Sequence, residues 1–198
     1  MELKRLLVPY NQYYFAGLSE AYHLVYYLPD GDDVTDWTTR VLNFKRKSNI
    51  DDYNEITRLT TEAIHEAEIK FDFVTRILGH KELKAQNGAA IIDFAKAIAK
   101  ETGALYIPQL LNKTRETTPL HFLGRAERQA EIEGVFFVNT KFYDMNNKSL
   151  LVVDDISTSC TTIAEMIKIL KKQWPDINVY LLCLARTIHG NPNANENL

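Results

Sequence analysis

The chain has 198 residues and a formal net charge of −3, from 23 Lys and Arg against 26 Asp and Glu. That balance disfavours a generally basic nucleic-acid surface, although a local basic patch remains open, and 45% hydrophobic with 25% charged residues is a globular composition. Cys160 and Cys183 are too few for a disulfide-dense scaffold or a four-cysteine zinc site. No apolar run reaches the ~18 residues of a membrane span, and the N-terminus lacks a signal peptide's apolar stretch, so a cytoplasmic protein without a membrane partner is expected.

In chain order, residues 1–55 read as an N-terminal hood or extension. LLVPY is a short strand broken by Pro9. The tyrosine-rich stretch after it suits a strand by composition, or a helix through Tyr14, Leu18, Ala21 and Val25. PDGDD at 29–33 is a turn, and Val34, Trp37, Val41 and Leu42 share a helical face that ends at the basic KRK of 45–47.

A core is expected over 56–190. It opens with a helix over 56–70, striped by Ile56, Leu59, Ala63 and Ala67, and a strand, FDFVTRIL, at 71–78. Asn87 stands where a helix cap would, ahead of Ile91, Phe94, Ala95 and Ile98, and Gly103 is placed to end that helix. ALYI at 104–107 reads as a buried strand. From 108 to 133 the pattern breaks into a polar, basic, weakly periodic excursion, long enough to suggest a flexible binding loop. GVFFV at 134–138 and SLLVV at 149–153 restore strands, separated by an Asn146-Asn147 turn. Ile163, Met166, Ile167 and Leu170 stripe a helix that Trp174-Pro175 ends, VYLLCLA at 179–185 is the last strong strand, and 191–198 is a polar tail. This is an α/β pattern, with a mostly parallel sheet and helices on both faces.

The most informative stretch is residues 150–170. A buried strand runs into Asp154 and Asp155, then into a hydroxyl-rich turn of Ser157, Thr158, Ser159, Thr161 and Thr162, and then into a helix. Consecutive backbone N–H groups capped by a helix N-terminus form a phosphate nest. Two carboxylates beside it suit sugar hydroxyls, or Mg²⁺ held through water, so a phosphosugar fits better than a bare nucleobase. The same residues read equally as a helix cap. The glycines of a P-loop and of a dinucleotide fingerprint are missing.

The run VVDDISTSCTT resembles the signature of the type I phosphoribosyltransferases, which bind 5-phosphoribosyl-1-pyrophosphate (PRPP). The resemblance implies that Asp154 and Asp155 contact the ribose hydroxyls and help hold Mg²⁺. It also implies that Ser157, Thr158, Ser159, Cys160, Thr161 and Thr162 wrap the 5-phosphate, with Thr158 and Thr162 matching the family's threonines. Cys160 replaces a glycine, a residue that tolerates positive φ and close approach. Residues from about 71 to 187 are further similar to the competence-associated ComF-like branch. In 113–138, Arg115, Thr117, Arg128, Gly134 and Phe136 match, while Leu120 and Glu131 replace a glutamine and an asparagine; LCLART at 182–187 matches the branch's ending. Lys84-Ala85-Gln86-Asn87 replaces an Arg-Gly-Phe-Asn element, and N-terminal zinc-binding cysteine pairs are absent.

The resemblance implies a type I phosphoribosyltransferase fold with a small hood, PRPP-dependent phosphoribosyl transfer with release of pyrophosphate, and Mg²⁺ as cofactor. Lys113 and Arg115 are the expected catalytic cations at the leaving group, with Arg125 and Arg128 as further candidates, while Arg76, Gly79 and His80 lie where the family holds pyrophosphate. Two other readings stay open: a PRPP- or phosphosugar-binding protein without turnover, and a ComF-like accessory protein whose basic loop, with His121 and Phe122, handles nucleic acid. A homodimer is allowed. His23, His65 and His189 lack partners by spacing, Cys183 reads as inert core, and a helix N-terminus would lower the Cys160 pKa.

Overall fold

The computed structural model describes residues 4–5, 17–29, 36–139 and 143–188. The strand at Pro9, Tyr14, most of the PDGDD turn, Val34, His189 and the tail lie outside the described residues. The tyrosine-rich stretch is a strand, β2 (Leu18–Tyr27), flanked by β1 (Lys4–Arg5) and followed by α1 (Trp37–Arg46). Next comes α2 (Ile50–Glu66), which starts six residues before the expected 56 because the Asn49 side chain accepts from the N–H groups of Asp51 and Asp52. Its buried face is Ile56, Thr60, Ala63 and Ile64; Leu59 is half-buried and Ala67 exposed. Thr60 fits that apolar face because its hydroxyl donates to the Ile56 carbonyl at 2.7 Å.

The chain continues through β3 (Phe73–Arg76) and α3 (Ala90–Thr102). Ala89, not Asn87, is the N-cap of α3, and Gly103 ends it in the left-handed region at φ 68°. β4 (Leu105–Tyr106) is an edge strand with Leu105 49% exposed, not a buried one. The 108–133 excursion is folded rather than irregular. It holds β5 (Leu111–Lys113), a 3-10 turn (Leu120–Phe122) and α4 (Arg125–Ile132), and it closes on β6 (Phe136–Val138), which pairs antiparallel with β5 in a separate two-stranded sheet. Its anchors are apolar: Leu111, Ile132 and Phe136 are buried in the main core. β7 (Ser149–Ser157), α5 (Thr161–Gln173) and β8 (Asn178–Thr187) complete the chain.

The central sheet has the order β1-β2-β8-β7-β3-β4, parallel except for the β1–β2 pair. Residues 18–27, expected in the hood, therefore lie within the sheet. Alternation along β7 builds two cores. Leu150 and Val152 face α5, whose stripe of Ile163, Met166, Ile167 and Leu170 is buried as the sequence predicts. Leu151 and Val153 face α1, α2 and α3 through Phe44, Ile56, Phe94 and Ile98. Helices thus cover both faces, and the strands' carboxyl ends are where ligands bind in such sheets. Among the described residues, no helix is long and apolar enough to cross a membrane.

Candidate functional site

Beyond those carboxyl ends lie two adjoining cavities of about 870 and 450 Å³. Lys45, Ile77, Leu120, Asp154 and Thr162 line both. The larger one is walled by the β7–α5 turn from Asp154 to Thr162, and the smaller one by Asp155 and the loop after β3. The structure thus gathers the acid pair, the hydroxyl-rich turn, Gly79 and His80 around one space.

The turn leaves several hydrogen-bond donors open. Ser157 ends β7 and is buried, its Oγ 2.8 Å from Cys160 Sγ, while Thr158 and Ser159 are exposed. Ser159 Oγ meets Thr161 Oγ1 at 2.8 Å. Cys160 is the N-cap of α5 at φ 54°, ψ 17°, and makes no side-chain cap. Among the described residues, no backbone N–H from Thr158 to Thr162 has a hydrogen-bond acceptor. Five consecutive open donors at the N-terminus of a 13-residue helix, with no acidic residue in its first turn, make a strong anion site. The left-handed Cys160 is the conformation that glycine adopts without strain, so the chain keeps the turn's shape at a cost of about 1 kcal/mol. Cys160 does not become an acidic thiol, as its helix position suggests. Burial pushes its pKa up, against the lowering contact with Ser157.

The acid pair is asymmetric. Asp154 Oδ1 accepts from the Asp155 N–H at 2.9 Å, and Asp155 Oδ1 from the Ile156 N–H at 2.7 Å. Burial first, and then the Asp155 charge, push the Asp154 carboxyl from 3.8 up to about 7. Asp155 instead pairs with Lys45 on α1, Oδ2 to Nζ 2.8 Å. Burial opposes the Lys45 charge, but Asp155 outweighs it and raises the ammonium pKa. Lys45 is thus a site residue that the sequence reading passed over, although it lies in the KRK run at 45–47.

The loop after β3 is self-contained. Arg76 is only 1% exposed, and its guanidinium grips Glu82 through Nη1–Oε2 at 2.7 Å and Nη2–Oε1 at 2.6 Å. Glu82 also accepts from the N–H groups of Gly79 at 2.6 Å and Gln86 at 3.3 Å. Burial works against the Glu82 charge, yet Arg76 and these amides hold its carboxyl below the usual range. Arg76 and the Gly79 amide, expected on pyrophosphate, are therefore engaged by the chain's own carboxylate. Lys113 is buried, with Nζ on Gly79 O at 2.9 Å, His80 O at 2.7 Å and Thr117 Oγ1 at 3.2 Å. Burial lowers its pKa, and its three donors are taken up by the loop, although it lines the smaller cavity.

Arg115 lines neither cavity. It pairs with Glu131, Nη1–Oε1 3.0 Å, the residue that stands in place of the usual asparagine. From the excursion, Arg128 lines the larger cavity, with Nε donating to Leu123 O at 2.8 Å. Lys113 is thus buried, Arg115 exposed but paired, and Arg128 part of the cavity wall. The side chains of His121 and Arg125 lie outside the described residues. Cys183 is buried, as expected. His23 is buried too, with Nδ1 3.2 Å from Val25 O, while exposed His65 pairs with Glu101 at 3.1 Å, a partner that spacing does not reveal.

Among the described residues there is no cluster of three or more metal-ligating side chains. The two carboxylates still fit Mg²⁺, which is commonly held by one or two carboxylates, water and substrate phosphates.

No protein-family model matches the sequence, and no curated protein matches it. Solved structures do. An adenine phosphoribosyltransferase from Leishmania tarentolae superposes with a TM-score of 0.53 at 10% identity, over 93% of this chain and 94% of that one. A hypoxanthine phosphoribosyltransferase from Staphylococcus aureus gives 0.43 at 15% identity, over 72% of this chain, which spans only 65% of that protein. An adenine phosphoribosyltransferase from Saccharomyces cerevisiae gives 0.44 at 13% identity, over 72% and 80%. The chain has the fold of the type I phosphoribosyltransferases, a mixed α/β fold with a mostly parallel central sheet.

Proposed function

We propose that the chain binds PRPP and transfers its phosphoribosyl group to an acceptor, releasing pyrophosphate. The observation that carries this reading is the run of five open N–H groups, Thr158 to Thr162, with Asp154 in a cavity of about 870 Å³ and Asp155 on the adjoining one. The open amides, with the Thr158 and Thr162 hydroxyls, hold the 5-phosphate. The acid pair accepts from the ribose hydroxyls, which take the place of Lys45 on Asp155. Sugar and phosphate are then fixed at two points, which sets the direction of C1. The C1–O bond breaks with its electron pair leaving on pyrophosphate, and the acceptor's lone pair forms the new bond at C1. Asp154, with a pKa near neutrality, is suited to take the acceptor's proton. Lys45 and Arg128, two of the cations that line this cavity, are suited to face the developing negative charge. Mg²⁺, when bound with substrate, would neutralise pyrophosphate charge at the acid pair.

Within this reading we assign the chain to the ComF-like branch, on the resemblance of 113–138 and 182–187. A second reading, phosphosugar binding without turnover, is favoured by Glu82, whose carboxylate sits on the Gly79 amide, and by the engaged Lys113. Titration with ribose 5-phosphate and with PRPP plus Mg²⁺, followed by a pyrophosphate-release assay over an acceptor panel, separates the two. Binding with release supports transfer, and binding without release across the panel supports the second reading. Absence of binding to both sugars overturns both.

A further inference from the structure

The larger cavity offers more wall than phosphoribose uses. The β7–α5 turn forms one side. The other side comes from the end of β2, from α1 and from the 120–128 segment, through Tyr27, Leu42, Arg46, Phe122 and Arg128. Leu42, Lys45 and Arg46 stand at i, i+3 and i+4 on α1 and so share one helical face. That face delivers Lys45 to Asp155 in the sugar site and sets Arg46 and Leu42 beside it.

The chemistry of this second wall is specific. Among the described residues, Arg46 has no hydrogen-bond or ion-pair partner, whereas its neighbour Lys45 is paired. Asp154, on β7, is the one acidic side chain among the described residues that line the cavity. Phe122, 76% exposed, lines the same cavity. Apolar and aromatic walls bind flat rings. A guanidinium without a counter-charge pairs best with a carboxylate, and bidentately. Arg46 is exposed, so beside a neutral base it stays hydrated and adds little, whereas a carboxylate gains a charge-assisted pair and a protonated amine is repelled.

We propose that the acceptor is a planar aromatic ring carrying a carboxylate, paired with Arg46 and packed on Leu42 and Phe122. This rests on the phosphoribosyl-transfer reading, since the ring must lie next to the ribose site.

The test uses matched probes on the full chain with ribose 5-phosphate and Mg²⁺ saturating: nicotinate against nicotinamide, orotate against uracil, and hypoxanthine as a neutral purine. Wild type is expected to bind at least one acid tenfold or more tighter than its neutral partner. Arg46→Gln is expected to abolish that preference with ribose 5-phosphate affinity within twofold of wild type, and Phe122→Ala to weaken acid and neutral partner alike. Equal or tighter binding of the neutral rings overturns the proposal. So does an acid preference that survives Arg46→Gln, or failure of every ring to bind a protein that takes ribose 5-phosphate normally. Failure of ribose 5-phosphate itself removes the phosphoribosyl reading, and the acceptor assignment with it.

Discussion

Two loops follow neighbouring parallel strands and face the same space, yet they are finished in opposite ways. After β7, the amides of Thr158 to Thr162 have no acceptor among the described residues, and Asp154 is pushed up to about 7. After β3, Glu82 fills the amides of Gly79 and Gln86 and neutralises Arg76, and its own pKa falls. The first loop leaves its donors open, as the proposed phosphate site requires, whereas the second fills its own with a carboxylate. Open donors and a carboxyl with a raised pKa destabilise the free protein and are relieved by a ligand. A satisfied loop stabilises the fold.

The largest effect is expected from breaking the closed loop. Glu82→Ala leaves the buried Arg76 guanidinium without its carboxylate, which costs about 3 kcal/mol. At ~2–4 °C per kcal/mol for a chain of this size, the melting temperature should fall by roughly 10 °C. The sign with pH follows from the lowered pKa. The contribution of Glu82 is present above its unfolded value of 4.5 and is lost as pH falls through the lower folded value. Melting curves of wild type and variant should therefore converge in acid.

The open loop should respond in the opposite sense. Asp154→Asn should weaken ribose 5-phosphate binding at least tenfold, about 1.4 kcal/mol, and yet stabilise the free protein at pH 8. The folded pKa of Asp154 is raised, so its contribution to stability is full below 3.8 and is lost as pH rises through about 7. The gain from Asn should be clear at pH 8 and absent at pH 4. A variant that is less stable at pH 8 would contradict the assignment of a strained carboxyl.

Lys45→Met should produce a smaller change. It removes the cation that favours charge on Asp154, so the pH at which Asp154 takes its proton should move upward. This is read from the pH dependence of melting, and an unchanged profile would remove Lys45 from the site. Smallest of all is Cys160→Gly. Glycine relieves the left-handed strain, about 1 kcal/mol, and forfeits a similar amount of buried sulfur surface. Melting should shift by no more than a few degrees, and ribose 5-phosphate affinity should stay level or rise. Loss of binding in the folded variant would make the thiol a required part of the turn.

The legible parts of the sequence were those fixed by local pattern. The α5 stripe, the Gly103 stop and the run from strand to acid pair to turn all follow from period and residue type along one stretch. The start of α2 is also written locally, in Asn49 ahead of Asp51 and Asp52, but the apolar stripe begins only at Ile56. What escaped depends on partners far apart in sequence. Lys45 meets Asp155 across 110 positions, with no periodicity to mark the pair. Lys113 and Arg115 read as free cations because nothing local shows that Gly79, His80 and Glu131 take them up. ALYI has the composition of a buried strand, but β4 lies at the end of the strand order. The excursion reads as irregular because β5 and β6 are three residues each and pair across 22 intervening positions.

The most direct test of the contrast is an amide NMR titration of the ¹⁵N-labelled chain with ribose 5-phosphate. The N–H resonances of Thr158, Ser159, Cys160, Thr161 and Thr162 should shift strongly and saturate together, while those of Gly79 and Gln86, already bonded to Glu82, should stay in place. Saturating shifts at Gly79 and Gln86 with a silent 158–162 turn would contradict the account, because the anion would then enter the loop that the structure shows closed.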